Sequence, residues 1–254
     1  MTKVIDVIIA LDKLAPASLK EDFDNVGLMF GNPDDEVIGA IVCLDVTSDV
    51  VALAIKKKAN VIISHHPFFF RPVSSLDTRS GKGYVVSKCM ANNISVISEH
   101  TNLDKAPNGL NMYLANVLGG SNIKLIEGTC GIYFEVEKKD IADFAKDVSE
   151  KLNDETVCYT NTKKKVKSVV ACTGGGGSDV ELYEYAKANA DVYLSGDFKH
   201  HNYIDAKEDK FAVVSYSHYA SEIIVEDLLK DYLEKNVRIR VAKAGQTRPF
   251  NTVK

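Results

Sequence analysis

The sequence predicts an α/β protein made of two similar domains with mixed, largely parallel sheets. Two observations lead to this prediction. Runs of β-branched and aliphatic residues alternate with helical segments, which is typical of parallel strands joined by helices. A strand–helix pattern in the first half of the chain also recurs in the second half, at residues 48–66 and 178–197.

The elements follow from periodicity, helix caps and turn residues. In the first half, helices are predicted over 3–14, 49–58, 82–92 and 110–118, a short strand closed by a turn within 25–33, and strands over 37–44, 61–63 and 94–98. In the second half, strands are predicted over 131–136, 156–160, 166–172, 191–194, 211–215 and 237–241, and helices over 139–152, 178–189 and 218–233. We expect one domain over 1–126, completed by 219–254, and another over 127–218.

Length and composition indicate a folded, water-soluble protein. The chain has 254 residues, 45% of them hydrophobic and 26% charged, and a net charge of −4. This balance gives no electrostatic basis for binding nucleic acid or an anionic membrane. No apolar run approaches the ~20 residues of a membrane span, and Asp6 and Asp12 interrupt the N-terminal apolar segment. We therefore expect neither nucleic acid nor membrane among its partners.

The cysteines indicate the compartment. Five are scattered along the chain without a CxxC pair. An odd, unpatterned set argues against a disulfide framework and against a cysteine zinc site. The sequence therefore predicts a cytoplasmic protein.

The recurring pattern has two interpretations. Similarity between α/β units can arise by chance. Alternatively, the two halves are related and each supplies strand-end ligands to a shared cleft. The second interpretation gains weight because a histidine follows a strand in each half, His100 and His218, and a carboxylate follows four residues later, Asp104 and Glu222.

Residues 61–67 (VIISHHP) carry the strongest chemical signal. Three β-branched residues predict a buried strand, and Pro67 ends it because proline has no N–H to donate. His65 and His66 then stand at the carboxyl end of the strand, where ligands bind in open α/β sheets. Adjacent side chains on extended backbone point to opposite sides, so each histidine can serve a different ion.

The candidate metal ligands are His65, His66, Asp104, His218 and Glu222. His218 and Glu222 are spaced i, i+4, which places them on one face of a helix. Imidazole and carboxylate groups suit Zn, Fe, Mn or Ni. Further candidates near this pattern are His100, Asp197, His200 and His201.

Each candidate also has a structural interpretation. A His-His-Pro run occurs in surface turns, and Asp104 is suited to a turn or a helix cap. His218 and Glu222 fit a solvated first helical turn, where the helix dipole favours an acid. The glycine run 174–177 fits either a tight turn or, with Lys199, a phosphate cradle, although it lacks the spacing of known phosphate loops.

These residues resemble the NIF-three-like family of GTP cyclohydrolase I type 2 homologues. Six blocks carry the resemblance over most of the chain: 23–28 (FDNVGL), 44–47 (LDVT), 63–67 (ISHHP), 100–104 (HTNLD), 194–197 (LSGD) and 218–222 (HYASE). Two positions depart from the family pattern: Ser217 replaces a usual glycine, and Phe23 stands where tryptophan is frequent. The segment 128–165 is too short for the domain that some members carry there, so the chain resembles the short form.

The resemblance implies two interlocked α/β domains, a homohexameric ring and a dinuclear centre with ligands at His65, His66, Asp104, His218 and Glu222. It implies two divalent ions per subunit and a hydrolase that converts GTP and water to formate and 7,8-dihydroneopterin triphosphate. His100 is our candidate for the general acid. The small-molecule substrate is GTP or another nucleotide. The alternatives are a nucleotide phosphoesterase, and a metal-binding, metal-delivery or ring-shaped interaction protein without turnover.

Overall fold

The structure is a computed structural model that describes residues 1–160 and 163–251. It divides into two compact units. The first contains residues 1–106 and 225–254, and the second contains residues 107–224. Among the described residues, none of the helices has the length and apolarity that a membrane span requires.

The described part of the chain contains alternating helices and strands, as the sequence predicts. The helices are α1 (Val4–Leu14), α2 (Ser48–Lys57), α3 (Gly81–Ala91), α4 (Thr101–Lys105), α5 (Leu110–Val117), α6 (Ile141–Leu152), α7 (Val180–Asn189), α8 (His200–Glu208), α9 (His218–Glu222) and α10 (Val225–Asn236). The strands are β1 (Gly27–Phe30), β2 (Ala40–Cys43), β3 (Val61–Ser64), β4 (Ser95–Ser98), β5 (Ser121–Leu125), β6 (Ile132–Asp140), β7 (Cys158–Tyr159), β8 (Lys165–Cys172), β9 (Val192–Ser195), β10 (Ala212–Ser215) and β11 (Val241–Lys243).

The first unit is built on a five-stranded sheet in the order β1-β4-β3-β2-β11. Strands β2, β3, β4 and β11 are parallel, and β1 pairs antiparallel with β4 at the edge. All residues of β2, β3 and β4 are buried. This explains their continuous apolar runs, because helices cover both faces of a parallel sheet.

The second unit is built on a six-stranded sheet in the order β5-β6-β8-β9-β10-β7. Its central strands β8, β9 and β10 are parallel, and β7 pairs antiparallel with β10 at the edge. The succession of three parallel strands and one antiparallel edge strand therefore occurs in both units. The predicted α/β class with mixed, largely parallel sheets is confirmed, and this shared topology supports the interpretation of two related halves.

The single long helix predicted over 218–233 is wrong. Two helices occupy this region, α9 and α10, and they belong to different units. Ala220 of α9 packs in the apolar core of the second unit. In the first unit, the Tyr232 hydroxyl of α10 donates a hydrogen bond to the Ala10 carbonyl of α1, at 2.7 Å. A break lies between the helices because each must bury its apolar residues in its own unit.

Three other elements differ from the predictions. The last strand begins at Val241 instead of residue 237 and pairs with β2. Strand β5 was missed because it is an edge strand of half-buried and exposed residues, without a clear apolar run. Helix α8 was missed because only Ala206 along its length is buried, which leaves almost no apolar periodicity.

The expected domain limits, 126 and 218, differ from the observed limits of the units, 106 and 224. Helix α5 accounts for the first difference. Its residues Leu114 and Ala115 pack with Ile132 and Phe134 of β6, in the core of the second unit. Helix α9 accounts for the second difference. Residues 252–254 of the expected C-terminal segment lie outside the described residues.

Gly31 follows β1 and lies against the start of β4, the strand that leads to His100. Its φ is +123°, and a Cβ there would lie 2.6 Å from the Ser95 Cα. Gly27 has a φ of +89° with nothing within 4 Å of a Cβ.

We predict that Gly27→Ala lowers the free energy of unfolding by about 1–2 kcal/mol through backbone strain alone. Gly31→Ala should cost more than about 3 kcal/mol because the new methyl overlaps backbone. Urea unfolding measures both, and equal losses would contradict this account.

Candidate functional site

The carboxyl ends of the parallel strands in the first unit carry its candidate ligands. Asp45 follows β2, His65 and His66 follow β3, and His100 follows β4. The backbone N–H groups of His65 and His66 donate to carbonyls of the preceding strand, at 3.1 and 3.0 Å, and so continue the ladder past the end of β3. The histidines therefore extend from a rigid sheet edge.

Each of these three histidines uses its Nδ1 in a hydrogen bond with an oxygen acceptor. The His65 Nδ1 lies 2.8 Å from the Glu99 carbonyl, the His66 Nδ1 lies 2.8 Å from Asp45 Oδ1, and the His100 Nδ1 lies 2.9 Å from Asp24 Oδ1. Carbonyl and carboxylate oxygens only accept, so each Nδ1 carries the hydrogen that it donates. This tautomer leaves the Nε2 lone pair of each ring for another partner.

The three rings also lie close together. One ligand atom of each of His65, His66 and His100 lies within 4.8 Å of the other two. Two atoms that are each ~2.1 Å from one ion are at most ~4.2 Å apart, so small side-chain adjustments suffice for shared coordination. The His65 Nε2 lies 3.7 Å from Asp104 Oδ1. The side chain of His65 is completely buried and that of Asp104 is nearly so.

Asp24 anchors His100 through a buried carboxylate. Its Oδ2 accepts a hydrogen bond from the Thr101 backbone N–H at 3.0 Å, while its Oδ1 meets the His100 ring. Burial alone would raise the pKa of this carboxyl, but the hydrogen bonds from His100 and Thr101 hold it well below the usual range. Asp24 is therefore a fixed negative charge that holds the His100 ring through its Nδ1.

Glu99 differs from Asp24 because its surroundings raise the pKa of its carboxyl. Its side chain is only 4% exposed, and it accepts a hydrogen bond from the Asn102 amide. Burial raises the pKa of Glu99 to about 8, since desolvation penalises the charged carboxylate. A buried acid that is largely protonated at neutral pH therefore lies beside His100, and its backbone carbonyl holds His65 in place.

The second unit repeats the same arrangement. Asp197 follows β9, and His218 follows β10 at the start of α9. The His218 Nδ1 lies 2.7 Å from Asp197 Oδ2, and its Nε2 lies 2.9 Å from Glu222 Oε2, one helical turn onward. Burial alone would lower the pKa of His218, but the hydrogen bonds and charges of Glu222 and Asp197 raise it to about 9. The two carboxylates thus favour a positive charge at the His218 ring.

Ser217 replaces the usual family glycine without disturbing this geometry. Its side chain caps α9 by accepting a hydrogen bond from the Ala220 N–H at 3.2 Å. Its own N–H donates to Asp154 Oδ2 at 2.6 Å. Serine is among the preferred N-cap residues, so the departure supports the helix that carries His218 and Glu222.

The glycine run packs against these ligands. Gly174 has a φ of +60°, and a Cβ there would lie 2.0 Å from Glu222 Oε1. The Gly174 N–H donates to the Ser221 hydroxyl at 2.9 Å, and the Gly177 N–H donates to the Gly196 carbonyl at 2.9 Å. These internal hydrogen bonds favour the tight-turn interpretation of the run, with Gly174 making room for the Glu222 carboxylate.

The donor chemistry of both units fits divalent metal ions. Metal-binding histidines usually donate their second ring N–H to a carboxylate or a backbone carbonyl, which fixes the ring and its tautomer. His65, His66, His100 and His218 each have such an acceptor. Glu222 and Asp104 add carboxylates beside imidazoles, a donor set that suits transition metals.

The remaining candidates have other positions. His200 and His201 are exposed at the start of α8, and no metal-capable group found among the described residues includes them. Lys199 is exposed just before that helix.

Sequence reasoning missed the roles of Asp24 and Asp45. The sequence contained a detectable signal for Asp45. This residue follows β2 just as His65 follows β3, and the carboxyl ends of neighbouring parallel strands lie at the same edge of a sheet. Asp24 had none, because its position depends on the antiparallel pairing of Gly27 with Ser98. That pairing brings the residues before β1 to the carboxyl end of β4.

The comparisons with known proteins agree on one family. The family model Duf34/NIF3 (NGG1p interacting factor 3) matches residues 2–249. A Clostridium acetobutylicum protein named GTP cyclohydrolase 1 type 2 homolog is 35% identical over 229 residues, which are 87% of this chain and 85% of that protein. A Clostridium perfringens protein of the same name is 29% identical and covers 99% of this chain and 100% of its own length.

Solved structures share the fold. A Staphylococcus aureus protein has a TM-score of 0.90 and 30% identity, over 99% of both chains. Reduced HcgD from Methanocaldococcus jannaschii has a TM-score of 0.83 and 28% identity, over 96% of this chain and 98% of that one. These similarities confirm the resemblance that the six sequence blocks indicate.

The raised pKa of Glu99 predicts a pH-dependent stability. The folded state keeps a proton up to about pH 8, whereas the unfolded state loses it near 4.5, so unfolding becomes easier as pH rises between these values. Glu99→Gln removes this linkage. At pH 8 and with a chelator present, we expect the variant to exceed the wild type by about 1–3 kcal/mol in free energy of unfolding, with a smaller difference at pH 5.

The matched control is Glu36→Gln, which changes an exposed glutamate of the same unit. It should follow the wild-type dependence on pH in chemical unfolding. If Glu99→Gln also followed it, Glu99 would be ionised in the folded protein and the proposed protonation would be wrong.

Proposed function

We propose, from the premise that this chain belongs to the Duf34/NIF3 family, that it is a hydrolase dependent on two divalent metal ions. The observation that carries the proposal is the cluster of His65, His66 and His100, each with its Nδ1 hydrogen-bonded to an oxygen acceptor. Three such rings on one sheet edge are costly to assemble without a ligand, because His65 is fully buried, His66 and His100 are partly buried, and all three lose hydration.

The proposed ligand set is the one that the family resemblance implies. It consists of His65, His66, Asp104, His218 and Glu222. The proximity of His65 to Asp104 and of His218 to Glu222 supports the proposal within each unit. Zn, Fe, Mn and Ni all suit these donors.

Two bound divalent ions would lower the pKa of water towards ~7 and polarise the bond under attack. The chain's own residues prepare this chemistry. Asp45 and the Glu99 carbonyl orient the rings of His66 and His65 before any ion binds. Preoriented ligands avoid reorganisation during the reaction, which is a main source of enzymatic rate enhancement.

His100 has two possible roles, and they are distinguishable. As the general acid, it would donate a proton from Nε2 to the leaving nitrogen, and the Asp24 carboxylate would stabilise its charged form. As a third imidazole ligand, it would hold an ion beside His65 and His66. A proton donor leaves metal content unchanged when it is removed, whereas a ligand does not.

The proposed substrate is GTP, and the relatives named GTP cyclohydrolase 1 type 2 homolog support this choice. Water would open the imidazole ring of guanine at C8, and a second water would release C8 as formate. Rearrangement of the ribose and ring closure onto the freed amine, with loss of one water, would then give 7,8-dihydroneopterin triphosphate. A nucleotide phosphoesterase uses the same kind of centre and would release phosphate instead. A metal-delivery or interaction protein would bind the ions without turnover.

We also propose that the protein works in the cytoplasm as a homohexamer. The five cysteines without CxxC spacing support a reducing compartment. Family resemblance supports the hexameric ring. Light scattering of the purified protein measures the mass, and a monomer or dimer at micromolar concentration would contradict the hexamer.

The test combines metal counting with product analysis. The protein is purified without chelator, its metals are counted by mass spectrometry, and it is incubated with GTP while formate and phosphate are assayed separately. We expect about two ions per chain and formate release. Both should fall at least about tenfold in His65→Ala and Glu222→Gln. The matched control is His200→Ala, which removes an exposed histidine of α8 and should change neither.

The other outcomes select among the alternatives. Phosphate without formate indicates a phosphoesterase, and bound metal without either product indicates metal handling. His100→Ala with full metal content but no turnover would assign it as the acid, and joint loss would assign it as a ligand. No metal after reconstitution with Zn, Mn or Fe would refute the central claim about His65 and His66.

A further inference from the structure

A cavity in the first unit lies directly beside the histidine cluster. Its volume is about 440 Å³, and its walls include His66, Asp45, Phe68, Lys82 and Tyr84. This volume falls within the ~300–1,000 Å³ of ordinary small-molecule pockets. His66 is therefore shared between the candidate metal ligands and a cavity large enough for a substrate.

The cavity wall carries one acidic and one basic side chain, Asp45 and Lys82. Asp45 Oδ1 accepts a hydrogen bond from the His66 Nδ1, at 2.8 Å, so the negative charge of this wall lies at the His66 ring. Lys82 is the cation among the lining residues, and its ammonium donates to the Phe68 carbonyl and lies 5.3 Å from the Phe68 ring centroid. An ammonium has three N–H donors, so one carbonyl partner leaves donors for an anion.

Part of the remaining wall is apolar and well packed. Phe68 is 6% exposed and Val85 is 7% exposed, and both belong to the buried core that surrounds β3. Phe68 also packs edge-on against Phe30 and Phe69, with centroids 5.6 and 4.8 Å apart. A rigid apolar wall suits the uncharged body of a ligand, because burial of apolar area stabilises it without new ordering of the protein.

We propose that this cavity binds the anionic end of the substrate, a phosphoryl or carboxylate group that pairs with Lys82. The body of the molecule lies on Phe68 and Val85, and the bond to be hydrolysed reaches the ions at His66. This inference rests on the proposed function and deepens it, because it specifies an anionic small molecule and the residue that selects it. A neutral analogue of the same shape binds weakly for lack of a partner for Lys82.

The test uses the metal-loaded 254-residue chain and three small probes. Phenylphosphonate has an anionic group and no ester to hydrolyse, phenylacetate offers a carboxylate, and benzyl alcohol is neutral. Calorimetry measures their binding to the wild type and to Lys82→Ala, Lys82→Arg and Lys56→Ala. The last variant removes an exposed lysine of α2 outside the cavity lining and matches the change in net charge.

We expect at least one anionic probe to bind the wild type about tenfold or more tightly than Lys82→Ala, with the neutral probe weak in all proteins. Lys82→Arg should retain most of the affinity, and Lys56→Ala should match the wild type. Comparison of the two anions identifies the phosphoryl or the carboxylate group as the preferred one. Equal binding to wild type and Lys82→Ala, equal losses in Lys82→Ala and Lys56→Ala, or no binding of either anion would overturn the proposal.

Metal content, counted in each variant, separates this proposal from the proposed function. Unchanged metal content with lost anion binding in Lys82→Ala supports the cavity proposal. Absence of metal from the wild type would refute the proposed function, while the dependence of anion binding on Lys82 still tests the cavity.

Discussion

The candidate site depends on one interaction, the hydrogen bond between a histidine Nδ1 and an oxygen acceptor of the chain. It occurs at His65, His66, His100 and His218, with acceptor distances from 2.7 to 2.9 Å. Each bond fixes the tautomer of its ring and points Nε2 away from the acceptor. Without these acceptors, the rings could rotate or present the wrong nitrogen. The entropy lost in ordering them would then weaken metal binding.

The fold provides these acceptors through strand order. In the first unit, parallel β2 and β3 end side by side, which places Asp45 next to His66. In the second unit, parallel β9 and β10 end side by side, which places Asp197 next to His218. The same pairing of an aspartate after one strand with a histidine after its neighbour thus arises twice. The sheet orders match β3 with β9 and β4 with β10, so the two aspartate–histidine pairs lie on non-equivalent strands, and the repeat between the units concerns their topology.

Local patterns predicted the parts of the site that lie on one strand or helix. The β-branched run before His65 and the i, i+4 spacing of His218 and Glu222 both appear in the structure as expected. Contacts that depend on tertiary structure were beyond such patterns. Asp24 reaches the His100 ring only because β1 pairs antiparallel with β4 at the edge of the sheet. The helix ends after Glu222 because the residues on either side belong to the cores of different units. The polar strand β5 and the weakly amphipathic helix α8 gave too little periodicity to detect.

The most direct test of the account is the tautomeric state of the histidines in the zinc-loaded protein. Long-range ¹H–¹⁵N correlation spectra of ¹⁵N-histidine-labelled protein separate rings protonated at Nδ1 from rings protonated at Nε2. We predict Nδ1–H with a metal-shifted Nε2 for His65, His66 and His218, whose Nδ1 atoms all have oxygen acceptors. Protonation of these rings at Nε2, or signals unchanged by zinc, would contradict it.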